Sequence, residues 1–236
     1  MTVTDQLLGP LLRADPARPR ITHYDDTTGS RVELSGATLA NWAAKTANWL
    51  RDELGVQPGD TVAVLLPPHW QTAGALLGAW WCGATVTSSP AAAAVALCTR
   101  DRLDEAGGAA EMALLGLDPL GAGVRELPAG VRDFASEVRL HADSFTPAGA
   151  GSQARTVLAA ARACAAKLLL TSADRLLCTT GWDATVPGEV LLAVLSVDGS
   201  LVQCSGADPA VLPGRCAAER VTVTLGVSVP PLRRAG

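Results

Sequence analysis

Lysine is nearly missing from this chain of 236 residues: only Lys45 and Lys167 are present, and charged residues together make up 18%. The arginines are scattered and the net charge is −4, so no basic face is available to gather nucleic acid or an anionic membrane. The only paired basic residues near the tail, Arg233 and Arg234, read as a solubilising terminus. The first fifteen residues have no basic start ahead of an apolar core, which excludes an evident secretion signal. The most apolar long segment, Trp70 to Val86, is broken by Gly74, Gly78 and Gly83 and falls short of the roughly 20 residues a bilayer demands. The expectation is a cytoplasmic protein without membrane insertion.

No C-x-x-C pair occurs among the six cysteines, and a leaderless chain of this size has no need of disulfide staples, so buried free thiols are expected. Only three histidines exist: His23, His69 and His141. They stand far apart in sequence with no partner at ligand spacing, so no metal site is expected. For the same reason no Ser-His-Asp set can be named, and a G-x-S-x-G elbow is absent.

What is present is a hydrophobic content of 48%, enough for a substantial core. Residues 5–13 form a short amphipathic pattern that ends in the Pro16 and Pro19 region. Two short strands, Ile21–Tyr24 and Arg31–Leu34, flank a polar turn. Ser35 then caps a helix whose apolar stripe runs through Leu39, Trp42, Thr46, Trp49 and Leu50, with Gly55 beyond its end. Pro58-Gly59-Asp60 turns into the continuous apolar run Thr61–Leu66, as suits a buried parallel strand. A helix over Trp70–Cys82 and a strand over Ala84–Thr87 complete a right-handed βαβ unit. Further strands are expected at Met112–Leu115, within Val131–Leu140, at Arg175–Thr179, Leu201–Gln203 and Val221–Leu225. Helices are expected over Gln153–Leu169, Pro187–Leu195 and Pro209–Glu219. The fold class is α/β, with mostly parallel sheets and flanking helices. It forms one domain over 1–236, with two lobes of about 1–140 and 141–236 as the alternative.

The segment Leu54-Gly55-Val56-Gln57-Pro58-Gly59-Asp60-Thr61-Val62-Ala63, followed by Leu77-Gly78-Ala79-Trp80-Trp81-Cys82-Gly83-Ala84, resembles the start of the adenylate-forming superfamily of acyl-CoA synthetases, luciferases and peptide-synthetase adenylation domains. Ala173–Thr179 and Arg220–Pro230 are similar to later strands of the same family, in the same order. The resemblance implies the amino-terminal part of that fold, without the carboxy-terminal lid that relatives carry. It also implies a phosphate loop of the form T-S-G-T-T-G-x-P-K, and the segment in that place is Thr146-Pro147-Ala148-Gly149-Ala150-Gly151-Ser152-Gln153-Ala154. Thr146, Gly149, Gly151 and Ser152 are therefore candidate residues of a vestigial phosphate loop whose lysine position is Ala154. Both lysines are expected mid-helix and distant from it. The same segment matches a G-x-G-x-x-A dinucleotide fingerprint, but His141–Pro147 makes a poor preceding strand.

By the resemblance, Trp182 and Asp183 fall where relatives have an aromatic or histidine segment lining the acyl pocket, and packing is the favoured reading for them. His69 follows a buried strand at the edge where α/β proteins bind ligands, and it reads either as a pocket residue or, as favoured here, as a solvent-facing helix start. The resulting expectation is a pseudoenzyme without catalytic residues, metal or cofactor, acting by self-association, a protein partner or residual small-molecule binding. A weak site for ATP or AMP with magnesium, completed by a partner chain, is the alternative.

Overall fold

The computed structural model describes residues 1–182 and 186–235. Helix α1 (Val3–Ala14) opens the chain with a capping box in which Thr2 and Asp5 satisfy each other's backbone N–H groups. Strands β1 (Pro19–Asp25) and β2 (Ser30–Ser35) pair antiparallel, and the Asp25 carboxylate organises the turn by accepting from Thr27 and Thr28. Ser35 accepts from Thr38 N–H at 3.1 Å and starts α2 (Gly36–Asp52). Then follow β3 (Thr61–Leu65), α3 (Trp70–Trp81) and β4 (Thr85–Thr87), the anticipated βαβ unit.

Beyond this unit come β5 (Val95–Cys98), α4 (Leu103–Ala106), β6 (Glu111–Leu114), β7 (Val131–Asp133) and α5 (Phe134–Val138). Strand β5 was not anticipated: it hides in an alanine-rich run, and alanine is a weak strand former. Of the strand expected within Val131–Leu140, only three residues are extended before α5 begins. The remainder alternates: α6 (Ala154–Lys167), β8 (Arg175–Cys178), α7 (Glu189–Ser196), β9 (Ser200–Ser205), α8 (Leu212–Ala218), β10 (Val223–Leu225) and β11 (Arg233–Arg234).

Two sheets result, one ordered β11-β10-β8-β9-β1-β2 and the other β4-β3-β5-β6-β7. Every pairing is parallel except β1 with β2. The first hairpin thus completes a sheet whose other strands come from the last third of the chain. One continuous core lies between the sheets: Val62, Val64 and Leu97 from one, Ile21, Leu176 and Leu201 from the other, with α1, α2, α3, α6 and α7 between them. Smaller apolar clusters cover the two outer faces, around Ala96 and Leu114 on one side and around Val202 and Cys216 on the other.

The helix layer is tight where α2 crosses α3. A Cβ on Gly78 would lie 2.4 Å from Thr46 Cβ and 2.8 Å from the Ala43 carbonyl oxygen, so only glycine lets the two helices meet. All six cysteines are free, and five are buried. No helix among the described residues is long and apolar enough to cross a membrane.

Candidate functional site

In the five-stranded sheet the chain places β4 on one side of β3 and then crosses to β5 on the other. Ligands of open α/β sheets gather outside the carboxyl ends of strands at such a reversal. His69 stands there, directly after β3, as the N-cap of α3, and its Nδ1 accepts from Gln71 N–H at 3.1 Å. The helix start was anticipated, but the solvent exposure expected of it is contradicted, because the side chain is buried. His69 is buried because His23 of β1 packs on it, the rings 4.5 Å apart and edge to face. The two histidines are separated by 46 positions, and only the meeting of the two sheets brings them together.

Burial disfavours the charged imidazole and holds His23 at about 4, against a smaller opposing pull from Asp25. It holds His69 at about 3, with the neighbouring His23 adding to the effect and Asp25 and Asp118 opposing it. Both rings are therefore neutral near pH 7. The His23 Nε2 lies 3.0 Å from Ser205 Oγ, which suggests a Ser-His dyad. Two observations argue against one. Ser205 Oγ donates to the Pro68 carbonyl at 3.4 Å, and the buried His23 Nδ1 has no hydrogen-bond partner among the described residues. A bare Nδ1 is less costly as an acceptor than as an N–H, so the proton sits on Nε2 and the ring cannot draw one from the serine. Asp25 is engaged in its own turn and does not orient the ring.

Trp182 follows β8 at the corresponding edge of the other sheet. Its indole N–H donates to Gln203 Oε1 at 2.6 Å, and the Gln203 amide donates onward to Thr180 O at 3.2 Å. Trp182, Pro68, Thr72 and Gly188 surround a cavity of only ≈ 10 Å³, room for about one water. The structure thus brings Trp182 close to the His69 segment but closes the space between them. Asp183 lies outside the described residues.

The loop carrying Thr146, Gly149, Gly151 and Ser152 is at the other end of the sheet. It packs on Pro58 and Gly83, ahead of β3 and β4. Since β3 has five residues, this loop and His69 are separated by on the order of 15 Å along the strand. Gly151 has φ +70°, and a Cβ on it would lie 2.6 Å from the Gly83 carbonyl oxygen, so glycine is required by the docking itself. The Gln153 side chain accepts from Val86 N–H at 3.0 Å, closing the open edge of β4. Ser152 Oγ comes 3.5 Å from Thr85 Oγ1, and Thr146 is exposed.

Lys45 lies mid-helix on α2, as expected, and reaches only the segment ahead of this loop. Its ammonium pairs with Asp143 at 2.9 Å and donates to the His141 carbonyl at 2.6 Å, so both contacts hold it upstream of the glycines. Arg155 is exposed on the first turn of α6. This donor set does not fit a magnesium-bound triphosphate: the one lysine nearby is already paired, and the glycines face Gly83 instead of an open cradle. Among the described residues, no three histidine, cysteine or acidic side chains are grouped to hold a metal ion.

Set beside known proteins, the chain is 49% identical over 240 residues to a TIGR03089 family protein of Mycobacterium tuberculosis (strain ATCC 25618 / H37Rv), covering 95% of this chain and 98% of that one. The chain belongs to this family. Residues 13–99 also match the family described as AMP-binding enzyme. The fold agrees with that of an anthranilate CoA ligase, AuaEII, solved with anthranoyl-AMP, at a TM-score of 0.75 and 14% identity over 96% of this chain and 49% of that one. A Brucella canis acyl-CoA synthetase gives 0.74 at 17% identity, over 96% and 47%. The N-terminal domain of FACL13 from Mycobacterium tuberculosis gives 0.73 at 16%, over 96% and 62%. The chain thus has the α/β fold seen in these acyl-CoA ligases, and its first part matches the AMP-binding enzyme family. It spans about half the length of the two ligases.

Proposed function

We propose that this protein is a non-catalytic member of the adenylate-forming fold, acting through protein contacts or residual binding of a small molecule. The observation that carries this reading is the docking of the loop at Thr146–Gln153 against Gly83 and Val86, at the amino ends of the strands. Adenylation needs ATP, its metal and a carboxylate held in line while charge develops on the phosphoryl oxygens. A loop closed on its own sheet, with its neighbouring lysine neutralised by Asp143, offers none of the required stabilisation. Titration calorimetry with ATP and magnesium tests it: the expected result is no saturable heat up to millimolar nucleotide. Micromolar binding accompanied by saturable, carboxylate-dependent pyrophosphate exchange would refute it.

A second reading, weak ATP or AMP binding completed by a partner chain, is favoured by the exposed hydroxyls of Thr146 and Ser152 beside the exposed Arg155. It predicts that binding emerges only when a second protein is added. Light scattering of the purified chain separates self-association from reliance on a different partner.

A further inference from the structure

One face of the six-stranded sheet ends in a groove that the fold itself leaves open. It lies between α8 and the segment leading into the edge strand β11, and its volume is ≈ 270 Å³. Cys216, Val221 and Val229 form a buried apolar floor, while Ala217, Pro230 and Pro231 rise as exposed walls. Among the described residues, the one charged side chain lining it is Arg220. Arg234, exposed on β11, adds a second positive charge along the same edge.

Neither arginine has an ion pair or a side-chain hydrogen bond among the described residues, in contrast to Arg233, whose guanidinium donates to the carbonyls of Leu168 and Leu169. The acidic residues nearby are already engaged. Glu219 is held by Arg31 and Tyr24 on the sheet side of α8, and Asp174 accepts from Thr171 and Thr222. In a chain of net charge −4, an apolar groove with an unneutralised basic rim is complementary to a segment with an apolar anchor between acidic residues. The backbone at the edge offers a further contact. The parallel ladder uses Ala235 N–H toward Thr224 O, which turns the Arg234 N–H and carbonyl to the open side.

We infer that this groove is the docking site for an acidic, leucine-anchored extended segment of a partner protein. The inference rests on the reading that the chain works through protein contacts, and it names the chemistry of that partner. The anchor fills the floor above Cys216 and Val229, and its flanking carboxylates pair with Arg220 and Arg234.

Fluorescence anisotropy of the full chain with a labelled D-E-L-L-D-E peptide, and with K-K-L-L-K-K as its reversed counterpart, tests this. The acidic peptide is expected to bind at least ten-fold more tightly than the basic one, with affinity falling as salt rises. Arg220→Asn combined with Arg234→Glu should weaken it about ten-fold, and asparagine suits the left-handed backbone at position 220. Ala217→Trp, at an exposed helix position, should block the groove while circular dichroism stays unchanged. Equal binding of the two peptides, no binding at millimolar concentration, or indifference to both variants would overturn the proposal. Those results leave the non-catalytic reading standing, since only turnover bears on that.

Discussion

Acidification from pH 7 to pH 5 should remove a large part of this protein's stability through two side chains. In an unfolded chain each histidine takes up its proton near pH 6.5. In the fold His23 does so only at about 4 and His69 at about 3. Between those limits the unfolded state carries more protons, so stability falls as pH falls, by about 1.4 kcal/mol per pH unit for each ring. Over the two units this amounts to about 2 kcal/mol per histidine, or about 4 for the pair, against a typical total of about 5–15. The effect is absent above pH 7 and levels off below about pH 3.

Urea unfolding followed by tryptophan fluorescence at half-unit steps of pH gives the curve. His69→Asn keeps an N-cap acceptor for α3 and removes one titrating ring, so it should halve the slope. Adding His23→Asn should flatten it. A wild-type loss below about 1 kcal/mol, or a slope that survives both substitutions, would refute the claim that these rings are buried neutral.

Further predictions come from packing and charge. Gly78→Ala drives a methyl into Thr46 and should cost about 1–3 kcal/mol, seen as a drop in thermal midpoint. Burial alone would raise the Glu219 carboxyl, but hydrogen bonds from Arg31, Tyr24 and Arg175 and the charge of Arg31 outweigh it and hold it at about 2. Its contribution is present above pH 4.5 and lost as pH falls toward 2, so Glu219→Gln should remove one carboxylate's share of the acid-unfolding curve between those limits. The side-chain amide of Gln71 is buried without a partner at either atom among the described residues, so Gln71→Met should be neutral or stabilising by about 1 kcal/mol in chemical denaturation. Gly151→Ala should lower stability by at least about 1 kcal/mol and raise amide exchange at Val86, because it undocks the loop.

The sequence carried most of the fold wherever local chemistry and burial agree. The Ser35 cap, the stripe through Trp49 and Leu50, and the apolar run of β3 behave as their spacing implies. Strand β5 escaped because Val95-Ala96-Leu97-Cys98 is buried on both faces and follows four alanines, so alternation is absent and Val95 alone is β-branched. Sequence also could not pair His23 with His69, or put Lys45 beside Asp143, since those contacts arise only when distant elements pack. That no lysine or arginine stands within Thr146–Ala154 could be read directly. Where that loop lies could not, because Gly151 and Gln153 find their partners on β4 and on the turn before it.

Carboxylate-dependent exchange of labelled pyrophosphate into ATP is the most direct test of whether this fold still performs adenylation. With the purified chain, magnesium and a panel of short, long and aromatic carboxylates, the expected rate is that of the protein-free control. Saturable exchange that tracks protein concentration would contradict the account.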